Sequence, residues 1–139
     1  MFDPLKATTR IASSGLEAQG ARMRVVAQNL ANSRSTGATP GADPYTRKTV
    51  QIAGQFDRMV GAELVAVKAV GTDATPFRVE HDPGNPAADA EGNVKYPNVD
   101  MTVEMADMRE ASRSYSANLQ MIKQARSLVA MTIDLLRAG

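Results

Sequence analysis

From Met101 onward the chain keeps a spacing of four and three through Met101, Met105, Met108, Ser112, Tyr115, Leu119, Ile122, Arg126, Val129, Ile133 and Leu136. That alternation places about one residue per turn on a single stripe of an α-helix, and no strand can use such a period. Ser112 and Arg126 are the two exceptions, and Ala125 with Leu128 carries the apolar face around Arg126. The pattern predicts one helix from about 100 to 137. Asp100 is its N-cap, and Glu104 sets a negative charge near the positive end of the helix dipole.

The N-terminal segment repeats the arrangement more weakly. Asp3 is placed to cap a helix whose first residue is Pro4, a position that needs no N–H. Leu5, Thr8, Ala12, Leu16, Gln19, Met23, Val26 and Leu30 then follow at helical steps. Thr8, Ala12 and Gln19 dilute this stripe, and Gly15 and Gly20 each cost about 1 kcal/mol relative to Ala in a helix interior. A helix of this kind depends on a partner to stay folded.

Between the two helices the period changes. "YTRKTVQIA", "AELVAVKAV", "PFRVE" and "NVKYP" are short, β-branched and roughly alternating, with Gly, Pro, Asp and Asn between them, which reads as three or four strands. "NSRSTGATPGADP" and "HDPGNPAADAEG" read as loops, mobile before assembly. The expected fold is mainly α with a small β insertion. An N-terminal axial helix occupies 1–33, a loop and β-rich insertion 34–99, and a C-terminal axial helix 100–139, with the two heptad helices packing as a coiled-coil-like antiparallel pair. A two-helix hairpin buries only part of its apolar surface, so the remaining face favours oligomerisation.

Composition agrees with narrow helical seams. Aromatic residues make up 4% of the chain and Trp is absent, so Ala, Val, Leu and Met must supply the apolar contacts; small residues permit close approach and Met fills irregular gaps. Met101, Met105 and Met108 at helical spacing read first as core, and second as an adaptable contact surface. Sixteen basic residues against fifteen acidic ones create no field that would favour nucleic acid or an anionic membrane. With no cysteine, disulfides, thiolate ligands and cysteine nucleophiles are excluded. The N-terminus reads as no cleavable secretory signal, and no stretch is apolar for long enough to span a bilayer.

Catalysis has little to stand on. The only histidine, His81, sits in the turn-prone "EHDPGNP" and reads as a loop residue bonded to Asp82 or to backbone. No phosphate-cradling glycine motif is present. Asp82, Asn85, Asp89, Glu91 and Asn93 offer hard oxygen ligands, but their spacing does not match a calcium loop, and they read as turn formers. The basic spots "TRK", Arg109 with Arg113, and Lys123 with Arg126 read as a solvated surface, those on the helix locally paired with Glu104, Asp107 and Glu110. No enzyme, cofactor or metal site is expected.

Four blocks carry a resemblance: "SGLEAQGARMRVVAQNLANSRSTG", "YTRK", "HDPGNPAADAEGNVKYPNVD" and "EMADMREASRSYSANLQMIKQARSLV". In this order they resemble the FlgC family of bacterial flagellar basal-body rod proteins, within the wider family of rod and hook axial proteins. Asn85, Ala87 and Asn93 stand where that family commonly has His, Asp and Tyr, departures that bear on loop contacts. The resemblance implies a non-enzymatic subunit of the proximal rod in the periplasm, exported by the flagellar type III apparatus without a cleaved signal. It also implies assembly with copies of itself and with FlgB-, FlgF- and FliE-like rod proteins into a helical tube that transmits torque. Ordering of the termini would then be coupled to assembly. The candidate assembly seam is Leu16, Met23, Val26, Asn29, Leu30, Asn32, Met105, Met108, Tyr115, Leu119, Ile122, Val129 and Ile133. Asn29 and Asn32 are expected to bond backbone where the first helix gives way to its loop, as simple helix termination or as an intersubunit contact. The alternative function is a soluble coiled-coil adaptor or regulator with one partner.

Overall fold

A computed structural model of the chain describes residues 4–138. Two long helices flank two separate antiparallel ribbons: α1 at Pro4–Ala31, β1 at Lys48–Asp57, β2 at Ala62–Thr72, β3 at Arg78–His81, β4 at Asn93–Tyr96 and α2 at Met101–Ala138. Two long helices with strands between them agree with the expected fold class; β1 starts only at Lys48 and runs on to Asp57, β2 runs on to Thr72 and β3 to His81, and the strands form two ribbons.

The helix ends follow local chemistry. Asp100 Oδ1 accepts from the backbone N–H groups of Thr102 at 2.8 Å and Val103 at 3.3 Å, so the expected cap of α2 forms. Pro4 lies in the first turn of α1, while the expected capping by Asp3 lies outside the described residues. At the other end of α1 the Asn32 side-chain amide donates to Gln28 O at 2.8 Å and the Ser33 hydroxyl to Leu30 O at 2.8 Å, adding to the backbone N–H bonds those last-turn carbonyls accept from the same two residues.

The helices run antiparallel. Asn29 bonds to Glu104, Arg22 to Asp107, and Gly15 lies against Asn118. A Cβ at Gly15 would stand 2.7 Å from the Asn118 amide nitrogen, so the helices approach closely here. Continuing this register, Pro4 meets α2 near Val129, and the last turns of α2 run past the described part of α1. Leu135 and Leu136 on that extension are 75% and 79% exposed.

The stripe that packs inward is not the large apolar one. On α2 the buried positions are Glu104, Ala111, Ile122 and Ala125, with Asn118 half-buried among them; on α1 they are Ala7, Ala12, Gly15, Ala18, Val25, Val26 and Asn29. Small side chains thus line the contact, and the larger residues beside them stay on the outer face. Met101 and Met105 are exposed and Met108 is half-buried. The core reading of these three methionines therefore fails for the first two within the single chain.

The β1–β2 hairpin lies back along α1. Its open end is fixed where Lys48 N–H donates to Asn29 Oδ1 at 2.9 Å, and near its tip Arg10 pairs with Asp57 at 3.6 Å. Between these, Val65 N–H donates to the Ser14 hydroxyl at 3.1 Å. The turn is closed by Asp57, whose side chain accepts from Met59 N–H at 2.8 Å, and by Gly61, whose φ of 67° favours a residue without Cβ.

The β3–β4 ribbon holds the other loop. Asp89 Oδ1 accepts from Glu91 N–H at 3.1 Å and Asn93 N–H at 2.8 Å, and Asn85 Oδ1 accepts from Ala87 N–H at 3.0 Å. These residues act as turn formers, as their types imply. His81 differs from expectation: its Nδ1 lies 3.4 Å from Asn93 Oδ1, opposite it in the strand register, and not on Asp82 or backbone. Of the three departures from the family pattern, Ala87 is buried and Asn93 begins β4, so only Asn85 is a plain loop position. The long loop after α1 is docked on this ribbon through Gly41 N–H to Ala87 O at 3.1 Å and Lys95 to Asp43 at 2.8 Å. The sequence suggested a mobile segment there; the structure ties it down at both points.

Candidate assembly surface and the polar knot behind it

Asn29 sits on the inner face of α1, two heptads from Gly15 and one from Arg22. It is 1% exposed and every hydrogen-bonding position of its amide is taken. Its Nδ2 donates to Lys48 O at 2.9 Å and to Glu104 Oε2 at 3.0 Å, while its Oδ1 accepts from the Tyr45 hydroxyl at 2.8 Å and Lys48 N–H at 2.9 Å. The expectation that Asn29 bonds backbone at the end of its own helix is thus corrected. Asn32 terminates α1; Asn29 instead seizes the start of β1 and the first turn of α2.

Glu104 is fully buried, and the cationic partner its carboxylate needs is supplied by one side chain. Arg47 Nε donates to Glu104 Oε1 at 2.6 Å, and Arg47 Nη1 donates to Asp73 Oδ2 at 3.1 Å. Burial opposes the Arg47 charge, but the hydrogen bond and charge of Glu104, followed by those of Asp73, hold its pKa above the ordinary guanidinium value. Asp73 is held below the ordinary carboxylate value, first by hydrogen bonds from Thr75 and then by Arg47. Burial, and after it the charge of Glu104, pushes the Tyr45 phenol up. Asn98 closes the circle, accepting from Arg47 N–H at 2.8 Å and donating to Asp73 O at 3.1 Å.

Removing one member of a buried ion pair costs about 3–5 kcal/mol because its partner is left charged and unpaired. The cluster therefore ties α1, the start of β1, the end of β2 and the start of α2 into one cooperative unit. It also corrects the local-pairing expectation for α2. Glu104 pairs with Arg47, and Asp107 and Glu110 both pair with Arg22 of α1, the Glu110 contact being 3.5 Å. The hydrogen bond that Arg22 donates to Asp107, opposed by burial, raises the Arg22 pKa.

The proposed seam residues fall into two groups. Val26, Asn29 and Ile122 are buried within the chain, and Leu16, Met23, Leu30, Asn32 and Met108 are half-buried. Met105, Tyr115, Leu119, Val129 and Ile133 are exposed, with Leu128 and Met131 beside them. These last residues make an apolar surface along a 38-residue helix. Sequence spacing found that surface, but it missed Tyr45, Arg47, Asp73 and Asn98. The one signal pointing to them was the charge of Glu104 on the same heptad position as Ala111 and Ala125.

Among the described residues, no three His, Cys, Asp or Glu side chains are grouped to hold a metal, and no helix is long and apolar enough to cross a membrane.

Known proteins give the surface its setting. A family model described as the C-terminal part of flagellar basal body rod FlgEFG proteins matches residues 90–135, which span β4 and most of α2. Over its full length the chain is similar to flagellar basal-body rod protein FlgC of Agrobacterium fabrum, at 61% identity across 99% of both chains. FlgC of Salmonella typhimurium is 40% identical across 90% of this chain and 92% of its own. FlgC of Borreliella burgdorferi is 33% identical across 96% and 98%. Relationship at this level over nearly the whole length fixes the family: this chain belongs to the FlgC family, structural subunits that assemble with other rod components in the flagellar basal body.

Proposed function

We infer that this chain builds the proximal part of the rod, polymerising with copies of itself and with FlgB-, FlgF- and FliE-like neighbours into a helical shaft that transmits torque across the periplasm. The observation that carries this reading is the apolar surface of α2, running from Met105 through Tyr115 and Leu119 to Ile133 and left uncovered by α1. A lone subunit gains nothing from exposing such a row, whereas side-by-side helices in a tube would cover it. Delivery by the flagellar type III apparatus suits a subunit whose first helix is marginal alone and folds fully against neighbours. The ribbons between the helices then supply lateral contacts.

The test is electron microscopy of basal bodies from cells lacking this chain, beside cells in which it is restored. Rods that stop at the inner-membrane ring and return on restoration support the proposal. Complete rods without the chain would overturn it and leave the single-partner adaptor as the reading to pursue.

A further inference from the structure

The inner stripe of α2 repeats every seventh residue as Glu104, Ala111, Asn118 and Ala125. Opposite it, α1 presents Asn29, Arg22 and Gly15 at the same interval, with Asn29 on Glu104 and Gly15 on Asn118. Sliding α2 by one heptad, about 10 Å along its axis, would bring Gly15 against Ala125 or Ala111. Both are smaller than the asparagine now there, so the close approach at Gly15 does not oppose the slide. At this contact the seam thus tolerates a heptad shift.

Polar contacts remove that tolerance. A shift takes Glu104 away from Asn29 and Arg47 and sets an alanine, Ala111, against the buried amide, leaving donors and an acceptor unpaired. Arg22 would lose Asp107 and Glu110 and face Ser114 and Ala117, but this pair is partly solvated and discriminates weakly. The loop of residues 32–47 carries no helix or strand, and an axial displacement would have to carry along or break its ties to the β3–β4 ribbon, Gly41 N–H to Ala87 O and Lys95 to Asp43. We propose that the Asn29–Glu104–Arg47 cluster is a register lock, choosing one stagger of α1 against α2 from several that the small-residue seam would accept. A buried polar group in an otherwise permissive helical seam is well suited to this role. The stagger fixes how far the exposed apolar end of α2 projects past α1, and hence how much of it a neighbouring subunit meets.

Disulfide trapping in the full chain tests the lock, and the absence of native cysteine removes background. The pair G15C/N118C reads the observed register; G15C/A125C and G15C/A111C read displacement by one heptad in either direction. With the lock intact, only 15–118 should form. Moving the acid by one heptad, with E104A and A111E, should transfer most of the cross-linking to 15–125. Replacing Asn29 and Glu104 by Leu should spread it over the native pair and at least one displaced pair. Retention of 15–118 alone in both backgrounds would overturn the proposal. Loss of helical circular dichroism in both would overturn it too, since a device that only sets register leaves the seam standing.

Discussion

The Asn29 amide donates to the Glu104 carboxylate across 3.0 Å, and the two side chains are 1% and 0% exposed. A neutral amide and a buried carboxylate are compatible only because the amide turns its nitrogen toward Glu104 and its oxygen toward Tyr45 and Lys48. Replacing Asn29 by Ala should cost about 3 kcal/mol, because Glu104 and the Lys48 backbone lose partners without gaining water. Asn29→Asp should cost more at neutral pH, since it faces one carboxylate with another, and should recover partly in acid. Urea denaturation of the purified chain at pH 7 and pH 4 measures both.

Gly15 makes a different kind of contact. Its neighbour is the far end of the Asn118 side chain, which can turn aside. Gly15→Ala should therefore change stability by less than about 1 kcal/mol, the helix-propensity gain offsetting the rearrangement. Gly15→Leu should force the helices apart and lower the melting temperature well below that of Gly15→Ala.

The outer face of α2 should separate folding from assembly. Leu119→Glu and Ile133→Glu change residues that are 39% and 47% exposed. Each should alter the stability of the isolated chain by no more than about 1 kcal/mol. Swimming in soft agar should nevertheless fail, with rods interrupted in electron micrographs. Normal motility with both substitutions combined would remove this face from the assembly contacts.

Asp73 gives an acid-side signature. Its folded pKa lies below the ordinary carboxylate value, so its contribution is present above the unfolded value and is lost as pH falls through the folded one. The stability difference between the wild type and Asp73→Asn should be largest near neutrality and should close below about pH 3. Equilibrium unfolding across that range measures the difference.

Tyr45 gives the opposite signature. Its folded pKa is raised above 10.0, so its contribution is complete below the unfolded value and is lost as pH rises through the folded one. The advantage of the wild type over Tyr45→Phe should shrink in alkaline solution, as followed by denaturation from pH 8 to pH 11.

The sequence by itself determined the elements. Helical spacing set α1 and α2, alternation with Gly and Pro punctuation marked three or four strands where four form, and Asp100, Asn32, Asp89 and Gly61 acted through short-range hydrogen bonds or backbone freedom legible in a few neighbouring residues. Helical period also found the large apolar row from Met105 to Ile133. It could not say which row turns inward, because the row through Glu104, Ala111, Asn118 and Ala125 has the same period and lies one position away. Only the tertiary structure decided that. Asn29 finds Glu104 75 residues away and Arg47 finds it 57 residues away, and the free energy of satisfying a buried carboxylate depends on all three arriving together. Such a long-range polar term leaves no periodic trace in the chain, yet it pulls the small-residue face inward and leaves the large apolar face exposed.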